Sequence, residues 1–195
     1  MSWKDFYLIP NIITLSRILI LFPAIYFLNQ ESYWVAGILL IFLFATDFLD
    51  GFLARRLNLR SQLGSILDPI ADKIVVLALF IYYFSTGAVP LWYFILILTR
   101  DIAQLSAVPI LLFWKKIAFR VKPKLIPKWG TALNFIILGL IFLISLEIPI
   151  IQSSLNLTFI LSPIYIISGL IEIYILFTFI PRFVQIYRGK EDCFE

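Results

Sequence analysis

The 195-residue chain carries 16 Lys and Arg against 12 Asp and Glu, a formal charge of +4, and 62% of its residues are hydrophobic. A mean hydropathy of +0.98 with only 14% charged residues excludes an ordinary soluble domain, which is nearer half apolar and about a quarter charged. The lack of histidine excludes a His-type zinc site and a Ser-His-Asp triad, and a lone cysteine, Cys193, excludes an internal disulfide.

Six apolar windows of membrane-crossing length follow one another: Leu8–Leu28, Tyr33–Leu57, Ser65–Thr86, Leu91–Trp114, Thr131–Leu146 and Leu157–Tyr187. The first is a poor signal peptide, because Arg17 and Pro23 interrupt it and "NQES" follows in place of a small-residue cleavage site. The fifth is short, and the sixth is long enough to tilt or to project into water. No internal repeat or linker divides the chain, so residues 1–195 read as a single all-α membrane domain.

The connectors are of two kinds. "NQES", "STGAVP" and "EIPIIQSSLNLT" hold no Lys or Arg, whereas "RRLNLR", "KKIAFRVKPKLIPK" and both chain ends are basic. The two kinds alternate, which places both termini and every basic loop on the cytoplasmic side of a six-helix transmembrane bundle. The basic surplus then reads as orientation and contact with anionic headgroups rather than nucleic-acid binding. Three cations remain within the windows, Arg17, Lys73 and Arg100, and they fit a polar cavity open to the cytoplasm.

The second and third windows carry four aspartates. Asp47 and Asp50 are three apart and Asp68 and Asp72 four apart, so each pair shares a helix face. The short link "RRLNLRSQLG" lets the end of one helix meet the start of the next near the inner membrane face. An Asp at mid-membrane costs about 2.5–3.5 kcal/mol, so something must compensate the set. Three readings remain open: an ion-pair network with Arg55 and Arg56, an ion or proton pathway, and a divalent-metal site. Metal accounts for the pattern best, since oxygen-only ligands suit Mg²⁺, Mn²⁺ or Ca²⁺. Four carboxylates suffice for two ions about 4 Å apart, the arrangement that clamps the oxygens of phosphoryl transfer. A transport path should instead spread polar groups over several depths and spans. Gly51, Ala54 and Gly64 stand in fixed relation to the aspartates, where small residues allow either a ligand's close approach or helix packing.

Written out, the stretch is D-x2-D-G-x2-A-R-x8-G-x3-D-x3-D, with all eight specified positions filled from Asp47 to Asp72. It resembles the signature of the CDP-alcohol phosphotransferase family, and "IPNIITLSRI" and "LDPIADKIVV" are similar to that family's bacterial glycerol-type members. The resemblance implies six transmembrane helices around a cytoplasm-facing polar cavity, and a homodimer. It implies that Asp47, Asp50 and Asp68 ligate two metal ions, Mg²⁺ or Mn²⁺, with Asp72 close to them. It also implies that Gly51, Ala54, Arg55 and Gly64 line the CDP site, and that Asp72 is the general base for the acceptor hydroxyl. The donor implied is CDP-diacylglycerol. With no transit-type leader before the first span, a bacterial plasma membrane is the expected location.

Two acceptors compete: phosphatidylglycerol, which gives cardiolipin, and sn-glycerol-3-phosphate, which gives phosphatidylglycerophosphate. Phosphatidylglycerophosphate synthases typically show R-E-x6-L/I-R on the fourth span and G-K-x-K-T before the fifth. Here Asp101 follows Arg100, Val108 stands at the second Arg, Lys128 is kept, and Gly130 replaces the second Lys. Two fixed cations that a phosphomonoester should require are missing, which tips the expectation toward phosphatidylglycerol. Lys73, Arg100 and Lys128 are the expected acceptor contacts. Arg100 and Asp101 read equally as an ion pair, and Glu172 as a helix–helix hydrogen bond.

Overall fold

The computed structural model describes the backbone of residues 9–56, 62–109, 120–121, 125–146, 157–188 and 193–194. Side chains are described for residues 13–46, 70–107, 127–146 and 161–188. Six helices fall on the six apolar windows: α1 Ile9–Asn29, α2 Tyr33–Arg56, α3 Gln62–Ser85, α4 Leu91–Pro109, α5 Leu125–Ser145 and α6 Leu157–Tyr187. Besides these there are two two-residue strands, β1 Arg120–Val121 and β2 Cys193–Phe194, which pair in parallel with Arg120 opposite Cys193. This small ladder is the one departure from the all-α expectation among the described residues. The chain divides into two compact units, residues 1–82 and 83–195.

In the first unit, α1 packs along α2 as a helical hairpin. Its seam is written in the sequence: Thr14, Arg17, Leu21, Ala24 and Leu28 of α1 are buried, as are Ala36, Leu40, Leu43 and Thr46 of α2. Spacings of three and four residues keep such positions on one face of a helix. The reversal between the helices is closed by backbone bonds alone. Glu31 N donates to Leu28 O and Ser32 N to Phe27 O, at 3.1 and 3.0 Å, with Glu31 at φ 57°. That is a Schellman ending, which satisfies the last carbonyls of α1 by placing one residue in the left-handed region. Ser32 O then accepts from Ala36 N at 3.1 Å and opens α2.

In the second unit the end of α3 repeats this device. Gly87 N donates to Phe84 O and Ala88 N to Tyr83 O, and here the left-handed position, at φ 78°, is a glycine. Pro90 O caps α4 by accepting from Tyr93 N and Phe94 N, both at 3.1 Å. The buried residues of α4, α5 and α6 include Tyr93, Ile97, Ile137, Ile141, Tyr165 and Ile175.

Large apolar side chains also cover the outside: Leu19, Phe22, Trp34, Ile38 and Ile41 on the hairpin, and Ile166, Leu170 and Phe177 on α6, are more than half exposed. A soluble monomer does not expose apolar surface on this scale. Among the described residues two helices, Pro127–Ser145 and Leu161–Tyr187, are long and apolar enough to cross a membrane, by length and composition. Shorter apolar helices run over Ile13–Asn29 and Tyr33–Thr46.

Candidate active site

The eight motif positions divide between two helices. Asp47, Asp50, Gly51, Ala54 and Arg55 lie in the C-terminal half of α2, and Gly64, Asp68 and Asp72 in the N-terminal half of α3. The helical backbone therefore places Asp47 with Asp50, and Asp68 with Asp72, on common faces. The side chains of Asp47, Asp50, Gly51, Ala54, Arg55, Gly64 and Asp68 lie outside the described residues. No group of three His, Cys, Asp or Glu suited to a metal occurs among the described residues.

Asp72 is described, and it has a definite partner. Nη1 of Arg17, on α1, donates to Asp72 Oδ1 in an ion pair. The two side chains differ sharply in burial: Arg17 is 1% exposed and Asp72 43%. The guanidinium is thus sealed in the first unit's interior, while the carboxylate it holds is only partly covered. Burying a guanidinium without a counter-charge is costly, so pairing is what allows Arg17 to stand there. Thr14, one turn earlier on the same face of α1, is fully buried. The sequence singles out Arg17 as a cation within a span; it does not reveal the partner, which is 55 residues away.

The second unit holds a buried polar network that joins three helices. Glu172 Oε1, on α6, accepts from Arg100 Nη2 of α4 at 2.8 Å and from Asn134 Nδ2 of α5 at 2.9 Å. Arg100 Nε lies 2.8 Å from Glu172 Oε2, close but not aligned as a hydrogen bond, and Arg100 Nη1 lies 3.2 Å from Asp101 Oδ1. Asn134 must present its oxygen on the other side, and Tyr93 OH donates to Asn134 Oδ1 at 2.6 Å. The phenol has one proton, so the 2.8 Å contact between Tyr93 and Ser168 is made by the serine hydroxyl donating. Every side chain of this set is buried.

The network bears on three sequence expectations. Arg100, named as an acceptor contact, has its guanidinium engaged by Glu172 and Asp101. The Arg100–Asp101 pair read from the sequence is present, at 3.2 Å. Glu172 hydrogen-bonds between helices as read, but it is the centre of the network and not a peripheral tie. Of the other two expected acceptor cations, Lys73 is half-buried next to Asp72, and Lys128 is exposed near the start of α5.

Gly130 is a helix contact. A Cβ added there would lie 2.9 Å from Ile175 Cδ1, 3.3 Å from Ile171 Cγ2 and 3.5 Å from Glu172 Oε1. The missing side chain lets α5 and α6 approach closely at the level of the network.

Comparison with known proteins agrees with this organisation. A family model described as CDP-alcohol phosphatidyltransferase matches residues 7–176. A CDP-diacylglycerol--glycerol-3-phosphate 3-phosphatidyltransferase of Aquifex aeolicus is 36% identical over 125 residues, covering 63% of this chain and 68% of that protein. A cardiolipin synthase (CMP-forming) / mitochondrial hydrolase fusion protein of Schizosaccharomyces pombe is 34% identical over 182 residues, covering 85% of this chain but 29% of the fusion. A cardiolipin synthase (CMP-forming) of Rattus norvegicus is 34% identical over 108 residues, 55% of this chain and 36% of that protein. The chain thus spans about two thirds of the first relative and far less of the other two. With its eight motif positions filled and the family model running from residue 7 to residue 176, the chain belongs to the CDP-alcohol phosphatidyltransferase family.

Proposed function

We propose that the protein transfers the phosphatidyl group of CDP-diacylglycerol to the hydroxyl of a glycerol-type acceptor and releases CMP. The observation that carries this reading is the intact motif on α2 and α3, with its last carboxylate, Asp72, held by a buried arginine yet open to a ligand. The relatives named above act, by their names, on the same donor or form CMP.

Two divalent cations, Mg²⁺ or Mn²⁺, fit the donor set: carboxylates at helical spacing on two helices, one of them partly exposed, in a chain without histidine. Asp47, Asp50 and Asp68 would hold them, with Asp72 beside them. When bound they supply charge neutralisation at the diphosphate. The chain's own groups do the rest. Gly51, Ala54 and Gly64 leave room for the nucleotide against the helices, and Arg55 offers a fixed cation to the diphosphate. Asp72 takes the proton of the acceptor hydroxyl. The acceptor oxygen forms its bond to the phosphorus nearer the diacylglycerol as the bond to the CMP oxygen breaks, and CMP departs with the electron pair.

For the acceptor we favour phosphatidylglycerol, with product cardiolipin. Gly130, where the phosphomonoester-type pattern has a lysine, packs against Ile171, Glu172 and Ile175 and leaves no room for one without displacement. The second reading, sn-glycerol-3-phosphate, is favoured by the 36% identity to the Aquifex aeolicus protein. With either acceptor, Lys73 and Lys128 are the acceptor-side cations, and Arg100, engaged by Glu172 and Asp101, acts through its network.

The alternation of basic and neutral connectors supports six spans, both termini and the active site on the cytoplasmic side, in a bacterial plasma membrane. A homodimer belongs to the same reading. Offering phosphatidylglycerol and glycerol-3-phosphate in parallel, and identifying the lipid product by mass, tests the assignment. Cardiolipin from the first is the expected result; phosphatidylglycerophosphate from the second, with no cardiolipin, would reverse the acceptor.

A further inference from the structure

In the Arg17–Asp72 pair the cation is almost fully buried and the carboxylate is not. A partly exposed aspartate has several rotamers to choose from unless its partners hold it, and a hydroxyl-activating carboxylate must be held in one. The Asp72 side chain is 43% exposed, so packing alone does not fix it. Arg17 supplies a directional partner. Its guanidinium is enclosed by the first unit's interior and takes one carboxylate oxygen, Oδ1. The planar guanidinium is a stiff directional donor, unlike an ammonium. α1, which carries Arg17, packs along α2, which carries Asp47 and Asp50. One buried side chain therefore relates the last motif carboxylate on α3 to a helix hairpin that bears the first two.

We infer that Arg17 is a positioning residue for the transfer reaction: it sets the orientation of the Asp72 carboxylate toward the acceptor hydroxyl without itself binding donor or metal. This rests on the phosphatidyl-transfer reading above. It also gives a role to "IPNIITLSRI", the stretch of α1 that lies outside the aspartate motif.

The test compares wild type with Arg17→Ala and Arg17→Lys, each purified in detergent, using three readouts. Turnover of CDP-diacylglycerol with saturating acceptor should fall about 100-fold in Arg17→Ala, the loss that follows a misplacement of about 1 Å. KM for CDP-diacylglycerol and the affinity for Mn²⁺, read by electron paramagnetic resonance without turnover, should each stay within about threefold, because binding rests mainly on other residues. Arg17→Lys keeps the charge but loses the fork, and should recover about tenfold of the loss. An active wild type with Arg17→Ala within about threefold of it overturns the role of Arg17 alone. Loss of Mn²⁺ and CDP-diacylglycerol binding together with turnover, unrelieved by Arg17→Lys, also overturns it, by showing a merely structural residue. A wild type that binds Mn²⁺ but releases no CMP with any acceptor overturns the transfer reading, and this role with it.

Discussion

Glu172 of α6 and Arg100 of α4 form a buried pair across two helices, with Glu172 Oε1 2.8 Å from Arg100 Nη2 and also receiving Asn134 of α5. The carboxylate is the hub of the second unit: without it the amide would face an apolar interior and the guanidinium would keep Asp101, 3.2 Å away. Removing one partner of a buried pair typically costs about 3–5 kcal/mol when the other is left charged and alone. Glu172→Ala should therefore lower stability in detergent, by less than that amount because Asp101 still faces Arg100. Glu172→Gln keeps an acceptor for Asn134 and should cost less. Thermal unfolding followed by circular dichroism checks both.

At Gly130 the limit is space. Its absent Cβ would stand 2.9 Å from Ile175 Cδ1, nearer than side-chain carbons pack. Gly130→Ala should destabilise by no more than about 1 kcal/mol, because Cδ1 is the free end of the Ile175 side chain and alanine's better helix propensity offsets part of the cost of moving it. Ile175→Val removes Cδ1, so the double variant should recover what is lost. A double-mutant cycle on thermal stability measures that recovery.

Two tyrosine hydroxyls in the second unit differ in what they satisfy. Tyr93 OH serves Asn134 and Ser168 at 2.6 and 2.8 Å inside the network, whereas Tyr165 OH makes one 3.2 Å bond to the Ala88 carbonyl. Tyr93→Phe leaves buried groups without a partner and should cost about 1–3 kcal/mol. Tyr165→Phe should cost about 0.5–1.5 kcal/mol. Equal losses in the two variants would contradict the geometry.

Glu31 occupies the left-handed position at φ 57° where the equivalent turn after α3 has Gly87. A side chain there is strained by about 1 kcal/mol. Glu31→Gly should be neutral to stabilising by up to that amount, despite glycine's greater freedom in the unfolded chain.

Hydropathy located the helices because length and apolarity are local properties. The window Leu157–Tyr187 coincides with α6, and Leu8–Leu28 lies one residue from α1. α5 begins at Leu125, ahead of the window that opens at Thr131. The segment "LIPKWG" is too polar to read as a span, yet Pro127 is tolerated in a first helical turn and the helix continues through it. The motif aspartates were legible for the same local reason, a spacing of three and four on helices. Their surroundings were not. Arg17 meets Asp72 across 55 residues, Asn134 meets Glu172 across 38 and Arg100 meets Glu172 across 72, separations at which no periodicity signals contact. A buried-charge rule was the available signal: an Arg or Glu inside an apolar run needs a partner, and Arg17, Arg100 and Glu172 each have one.

If two cations complete the site, chelation should act on chemistry without unfolding the protein. EDTA should abolish CMP release, and Mg²⁺ or Mn²⁺ should restore it. Far-ultraviolet circular dichroism should stay unchanged throughout, since the described helices are held by apolar packing and the buried network. Turnover that persists in excess chelator would remove the metals from the reaction.

The most direct measurement is CMP release from CDP-diacylglycerol by the purified protein, with and without an acceptor, for wild type and Asp50→Asn. Release is expected only when phosphatidylglycerol or glycerol-3-phosphate is present, and Asp50→Asn should reduce it by about 100-fold or more. Absence of acceptor-dependent CMP with either metal, or release that Asp50→Asn leaves untouched, would contradict phosphatidyl transfer at the aspartate motif.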